Sequence, residues 1–288
     1  MNATTTTTTT DNQQLRLEHF VGDVNAFRAE TWAVLPAHFV SDNPATTIDA
    51  TFIESAVDCG LLVEPFVRLF PDVPQARLTR VVVNNDLRGY LDPAETRAAL
   101  EQGQVLVCEQ IEVWHEDTAD VVSAIQEELV FPVSASAVVL SQAAGNISLR
   151  TALGADENEH LFVIPAEGRL LLDAGQAHSE TGFPGGFALE AGRSDTCYVP
   201  PACSVDIANT EAAQAAVVVL RTAEPSAEEL AELLLACFLS GPAEEIAGQH
   251  HAMTMLEKIA WLREQLPRFL ESTSARALLH LASGEVNR

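Results

Sequence analysis

The chain is short of positive charge. Its 288 residues hold 16 Lys and Arg against 41 Asp and Glu, a formal net charge of −25. A field this negative repels phosphate backbones, which sets nucleic acid aside as a partner. Long hydrophobic runs are missing too. No stretch of about 18 apolar residues occurs, so no membrane-spanning helix is expected. Residues 1–10 carry neither a basic nor an apolar export segment, and the expected compartment is the cytoplasm. Cysteine is scarce: Cys59, Cys108, Cys197, Cys203 and Cys237 make five, with no C-x-x-C spacing. They read as reduced, buried thiols, with a disulfide or metal pair at Cys197 and Cys203 as the alternative. Also absent are a G-x-S-x-G elbow, a Walker loop, a G-x-G-x-x-G turn and an H-E-x-x-H pair.

What is present is a globular chain with a large core, 47% hydrophobic by composition. Residues 1–14 form a polar tail, with threonine at every position from 4 to 10, and read as disordered. Apolar residues at helical spacing (Leu17, Phe20, Val21, Val24, Phe27) predict a helix from Leu15 to Trp32. A second helix is expected over 50–59. Strands are expected over 65–70 and 78–83 and across the alternating stretch Gln104 to Val113. Between them, Asp92-Pro93-Ala94-Glu95 is a helix start, and a helix over about 118–129 follows, with Asp117 or Thr118 as its cap.

From Val133 onward the texture changes. Short apolar runs at 133–140, 145–150, 160–165, 168–173, 186–190, 195–200, 203–208 and 215–221 are separated by turn residues. Such spacing predicts an antiparallel sandwich or barrel of about eight strands. A capping box at Ser226-Ala227-Glu228-Glu229 then opens an apolar helix to about Leu239. Gly241-Pro242 breaks it, and helices are expected over 253–270 and 274–282. The expected plan is α+β and mainly β: the tail at 1–14, a barrel-containing domain at 15–222 with its core at about 133–222, and a helical C-terminal domain at 223–288.

Several segments resemble the JmjC-type cupins of the bacterial ribosomal-oxygenase-like group. Phe27-Arg-Ala-Glu-Thr-Trp32-Ala-Val-Leu-Pro36 is similar to that group's F-x-x-x-x-W-x-x-x-P entry, and Gly103-Gln-Val-Leu-Val107 with Trp114 to its G-x-T-L-V…W stretch. Phe131 to Val139 resembles the first barrel strand. His160-Leu-Phe-Val-Ile-Pro-Ala-Glu-Gly-Arg169 resembles D-V-F-V-L-Q-x-x-G-R, and Leu189 to Gly192 with Tyr198-Val-Pro-Pro201 resembles L-x-P-G-D-x-L-Y-L-P-R-G. The resemblance implies a double-stranded β-helix with helical flanks. Its usual activity is Fe(II)/2-oxoglutarate hydroxylation, with iron held by an H-x-D pair and a distant His that leave coordination positions open.

Here that triad is missing. Matched forward from 133–140, the H-x-D positions fall on Arg150 and Ala152; matched back from Leu161, on Ala155 and Glu157. The distant His falls on Val205, seven residues after Tyr198. The usual G-R-K-R-W becomes Gly168-Arg-Leu-Leu-Leu172. Two literal H-x-D/E matches remain, His115-Glu-Asp117 and His178-Ser-Glu180, about as many as eight histidines produce by chance. His178 reads as a loop residue that reaches the barrel mouth or merely solvent, and His250-His251 as surface. His160 reads as a strand-end histidine or as a ligand or base. Arg150 reads as an anion-binding fork or as a barrel-edge Arg paired with Glu157 or Asp206. Arg150, Glu157, His160, His178, Tyr198, Cys203, Val205 and Asp206 are therefore the pocket candidates. No metal and no cofactor is expected, the alternative being Fe(II) with 2-oxoglutarate. The reading is a binding protein or non-canonical tailoring enzyme for a small molecule or peptide. Its alternatives are a hydroxylase with displaced ligands (Glu157, His160, His178) and a structural partner of another enzyme. The apolar faces of the C-terminal helices, spread round more than one stripe, predict a homodimer.

Overall fold

The structure, a computed structural model, describes residues 16–40, 48, 50–59, 63, 65–71, 78–83, 86–176, 186–240 and 253–274. The expected 1–14 tail, the Gly241-Pro242 break, the 274–282 helix, His178 and His250-His251 lie outside the described residues, save Ser274.

The expected helix from Leu15 to Trp32 is broken into α1 (Glu18–Val21), α2 (Val24–Ala26) and a π-helical turn at Phe27–Thr31. Gly22 ends α1 with φ +69°, and Asp23 caps α2 by accepting from the Asn25 and Ala26 amides. There follow β1 (Ala37–Val40), α3 (Ala50–Asp58), β2 (Val67–Phe70), β3 (Leu78–Val83), β4 (Asp86–Leu91) and α4 (Pro93–Glu101). The Asp92 side chain caps α4, accepting from the Glu95 amide at 2.9 Å. The strand expected over 104–113 ends early, as β5 (Val105–Cys108). Gln110 adopts the left-handed conformation and a 3-10 turn occupies Ile111–Val113, so the alternation of the sequence outlasts the strand. α5 is Glu116–Leu129. Its cap is His115, not Asp117 or Thr118: the imidazole Nδ1 accepts the Thr118 amide at 3.3 Å.

The barrel then runs through β6 (Val133–Leu140), β7 (Ile147–Ser148), α6 (Leu149–Leu153), β8 (Glu159–Glu167), β9 (Leu170–Gln176), β10 (Phe187–Ala191), β11 (Asp195–Val199), β12 (Cys203–Asn209) and β13 (Ala215–Ala223). The run at 145–150 is not one strand. It splits into the two-residue β7 and the single-turn α6. The eight strands form two antiparallel halves, β11-β8-β13-β6 and β10-β9-β12-β7, and the first is widened to seven strands by β1 at one edge and β5 and β2 at the other. Gly168 makes the β8–β9 turn at φ +78°, where a Cβ would meet the Ala215 Cβ at 2.9 Å. α7 (Ala227–Ser240) and α8 (Met255–Ser272) close the described chain. Both open on capping boxes, Ser226 with Glu229 and Thr254 with Glu257.

Burial divides the molecule into two layers. One face of the large sheet carries Phe162, Ile164, Tyr198, Val218 and Leu220, packed against Leu17, Phe20, Phe27, Val121 and Ile125 of the helical N-terminal part. The opposite face carries Leu161, Val163, Cys197, Val199, Val217 and Val219. These meet Leu170, Leu172, Val205 and Ile207 of the small sheet inside the barrel, with Leu149 and Leu153 of α6. Each such aliphatic side chain contributes roughly 2 kcal/mol on removal from water.

Candidate functional site

A groove of about 960 Å³ lies at the barrel mouth, between Ala33-Val34, α6 and its following turn, and the Pro201–Ser204 stretch that enters β12. Arg150, Glu157 and Cys203 line it; Ser148, Thr151 and Ser204 add hydroxyls. Arg150 therefore borders the groove, and its fork is hydrogen-bonded to backbone carbonyls rather than to the Glu157 or Asp206 carboxylate. Nε donates to the Cys203 carbonyl at 2.6 Å and Nη1 to that of Asp156 at 2.9 Å, while Nη2 donates to those of Glu159 and Pro200, each at 2.9 Å. Four of its five N–H groups are spent on backbone. Burial pushes the guanidinium below its ordinary value and the charge of Glu159 works against that shift. Arg150 is a staple tying α6 to the 156–159 and 200–203 stretches of chain.

His160 and Tyr198 do not share this groove. They begin or sit on strands whose alternation turns them to the outer face of the large sheet, under the N-terminal segment. The His160 ring, 2% exposed, stacks on Trp32 with centroids 3.9 Å apart. The Tyr198 hydroxyl accepts the Ala33 amide at 2.8 Å and lies 2.7 Å from His160 Nδ1. A buried phenol keeps its proton in a hydrogen bond, so Tyr198 donates to Nδ1 and the ring proton sits on Nε2. Burial drives the His160 pKa down to about 4, with Glu224 opposing and Arg150 assisting. His160 Nδ1 is thus hydrogen-bonded and its ring packs on Trp32, whose Nε1 donates to Glu224 at 2.7 Å.

The remaining candidates are scattered. Val205 is fully buried in the barrel interior, and Cys203 is buried beside it. Burial raises the Cys203 thiol and lifts that of Cys197 to about 12, so neither is a thiolate at neutral pH. Asp206 lies on the outer face of the small sheet, where Asn146 donates to it at 3.4 Å. Glu157 is exposed on the groove rim.

A polar network that the sequence reading missed closes the barrel beside α6. Arg221 grips Glu159 through Nε at 2.7 Å and Nη2 at 2.9 Å, and reaches Glu109 through Nη1 at 3.3 Å. Arg68 reaches the other Glu109 oxygen at 3.2 Å, and the Ser136 hydroxyl donates to Glu109 at 2.6 Å. Burial alone would lower Arg221, but the hydrogen bond and charge of Glu159, with Glu109, carry its pKa upward. The sequence signal was there: Arg221 is a charged residue at a barrel-facing position of the otherwise largely apolar β13, and Glu109 directly follows the apolar β5 in phase with Val105 and Val107.

The described barrel-facing side chains are mostly aliphatic, with the thiols of Cys197 and Cys203, the hydrogen-bonded Ser136 and Asn209 and the ion-paired Arg221, and among the described residues no group of three or more His, Cys, Asp and Glu is arranged to hold a metal. Among the described residues, no helix is long and apolar enough to cross a membrane.

No protein-family profile and no curated protein matches the chain. Solved structures do. The ribosomal oxygenase YcfD from Escherichia coli aligns at 16% identity with a TM-score of 0.52, covering 88% of this chain and 67% of that one. The same oxygenase in complex with cobalt and 2-oxoglutarate aligns at 17% identity with a TM-score of 0.53, covering 88% and 68%. Likeness at that identity speaks to fold. The two four-stranded halves, the widened large sheet and the helical layer on its outer face agree with it, and the chain has the double-stranded β-helix fold of the JmjC-type cupins.

Proposed function

We propose that this is a JmjC-like cupin that has given up its iron site and works as a metal-independent binding protein or tailoring enzyme, taking a small-molecule or peptide ligand in the groove at the barrel mouth. The observation that carries this reading is Arg150. Arg150 stands at one of the two sequence registers of the metal-binding His, and a guanidinium, which has donors only and here is fastened to four backbone carbonyls, supplies no lone pair to a metal. The reading includes the division into a 15–222 domain and a helical 223–288 domain, and a cytoplasmic location. The purified protein is expected to hold well under one equivalent of Fe, Mn, Ni or Zn, and anaerobic titration with Fe(II) and 2-oxoglutarate to give no saturable heat. Near-stoichiometric metal in the barrel would overturn it.

One observation favours the second reading, a hydroxylase with displaced ligands: the E. coli oxygenase of the same fold is found in complex with cobalt and 2-oxoglutarate. In that case the same titration saturates near one equivalent.

The proposal includes a homodimer. Phe238 is buried between α7 and α8 against Trp261 and Phe269. That leaves Leu235, Leu239, Met255 and Leu256 between 52% and 79% exposed, an apolar surface of the kind that marks an interface. Sedimentation equilibrium is expected to return twice the 31.0 kDa chain mass, falling to the chain mass in Leu235→Glu/Leu256→Glu. A wild-type mass near 31.0 kDa at every concentration rejects the dimer.

A further inference from the structure

Accepting the groove as the binding site, we infer that its ligand is a small organic cation, a primary amine carrying apolar or hydroxylated carbons, with Glu157 as its charge partner.

The argument starts from which charges are free. The cation among the lining residues, Arg150, points its fork into the protein. Four carbonyl dipoles meet it, so it projects little positive potential into the groove and has a single N–H left for a ligand. The other charged lining residue is Glu157. It stands on the exposed turn between α6 and β8; its backbone carbonyl is held by the Ala202 amide at 2.8 Å, and its carboxylate, whose charge is felt by the Arg150 guanidinium, makes no ion pair within 4.0 Å among the described residues. Neighbouring Asp156 adds a further exposed carboxylate. Glu159, by contrast, is cancelled by Arg221. The local balance is negative, inside a chain with 25 more acids than bases, and that field raises the local concentration of cations and lowers that of anions.

The rest of the lining suits an amine with a short carbon body. Ala33, Val34, Ala155, Pro201 and Ala202 give an apolar wall, with Val34 57% exposed and so available to a ligand. Thr151 and Ser148 supply hydroxyls, already 3.1 Å apart, with acceptor capacity for an N–H donor. A dicarboxylate finds no free cation here and meets Glu157. The inference therefore parts company with the 2-oxoglutarate found in the E. coli oxygenase.

A matched four-carbon series tests it by calorimetry on the full chain: 1,4-diaminobutane, 1,4-butanediol and succinate, with Trp32 fluorescence reporting on the adjoining Ala33-Val34 wall. The diamine is expected to bind saturably and the other two not to. Glu157→Gln is expected to weaken the diamine about tenfold. Glu211→Gln, an exposed acid beyond the far end of β12 and roughly 20 Å away at about 3.3 Å per residue, is expected to change it less than twofold. Equal effects of the two substitutions, or none from Glu157→Gln, would assign the binding to the general field and overturn the site. Succinate or butanediol binding in place of the diamine would overturn the cation while leaving the groove as a binding site. Silence from all three overturns both.

Discussion

Arg150→Ala is expected to destabilise the protein by about 3 kcal/mol or more, a larger loss than an exposed ion pair could account for. Hydrogen bonds to a charged donor contribute about 1.5–3 kcal/mol each where they are desolvated, and the cost of leaving the acceptors unpaired is of the same order. Four carbonyls, of Cys203, Asp156, Glu159 and Pro200, lose the guanidinium together, although those of Asp156 and Pro200 keep the Glu159 and Cys203 amides as donors. They come from the entry to β12, the turn after α6, the start of β8 and the end of β11. α6 has five residues, too few to persist without packing and tethering, so its tie to the barrel loosens with the guanidinium. Arg150→Lys should restore little, because one ammonium on a flexible stem cannot address four acceptors that a planar fork reaches at once. Millimolar guanidinium or methylguanidinium should restore part of the loss in Arg150→Ala, by occupying the vacated carbonyl ring. Urea unfolding, with the m value checked for constancy, measures all three. An unfolding free energy for Arg150→Ala within about 1 kcal/mol of wild type would show the carbonyls to be solvated and the staple idle.

The same residue shows where sequence reading stops. Apolar runs bounded by turn residues located seven of the eight barrel strands to within a few residues, the 145–150 run excepted, and in β6, β8 and β13, buried on both faces, the run is nearly continuously apolar. That continuity hides which face is which. His160, Phe162 and Ile164 alternate with Leu161, Val163 and Pro165, and nothing in the period says that the odd residues line the barrel while His160 faces the helical layer. The pocket candidates His160 and Tyr198 were placed by resemblance, and the pleat turns both away from the mouth. Local capping chemistry was legible at Asp92 and Ser226, since a cap acts within three residues. Arg150 was legible as an Arg at the barrel edge, but not in its partners, because backbone carbonyls leave no signature in residue type. The Arg68–Glu109–Arg221–Glu159 chain joins four distant positions and becomes visible only once β2, β5, β8 and β13 share one sheet.

His160 gives the protein a second large and distinct liability, to mild acid. In the unfolded chain its imidazole takes up a proton near the ordinary value of 6.5, whereas in the folded chain burial holds that event down to about 4. The groups facing it are Trp32 from the N-terminal segment, Tyr198 from β11, and the charges of Glu224, which favours the proton, and Arg150, which opposes it. Between the two values the unfolded state binds more protons than the folded one. Stability therefore rises with pH across that window and is lost as pH falls through it. The slope approaches 1.4 kcal/mol per pH unit below 6.5, for a total of roughly 3 kcal/mol by pH 4. Protonation also collides with local geometry. Nδ1 would become a donor facing the Tyr198 hydroxyl, which already accepts the Ala33 amide, and the phenol proton would need a new acceptor. The strap that carries Trp32 should release with it. His160→Phe keeps a ring against Trp32 and removes the proton site, so its stability should be flatter than wild type by about 1 kcal/mol per unit between pH 5 and 6. Parallel slopes for the two proteins would show that His160 titrates near its ordinary value, and with that the Trp32–His160–Tyr198 stack would lose its role as the acid-sensitive hold on the N-terminal segment.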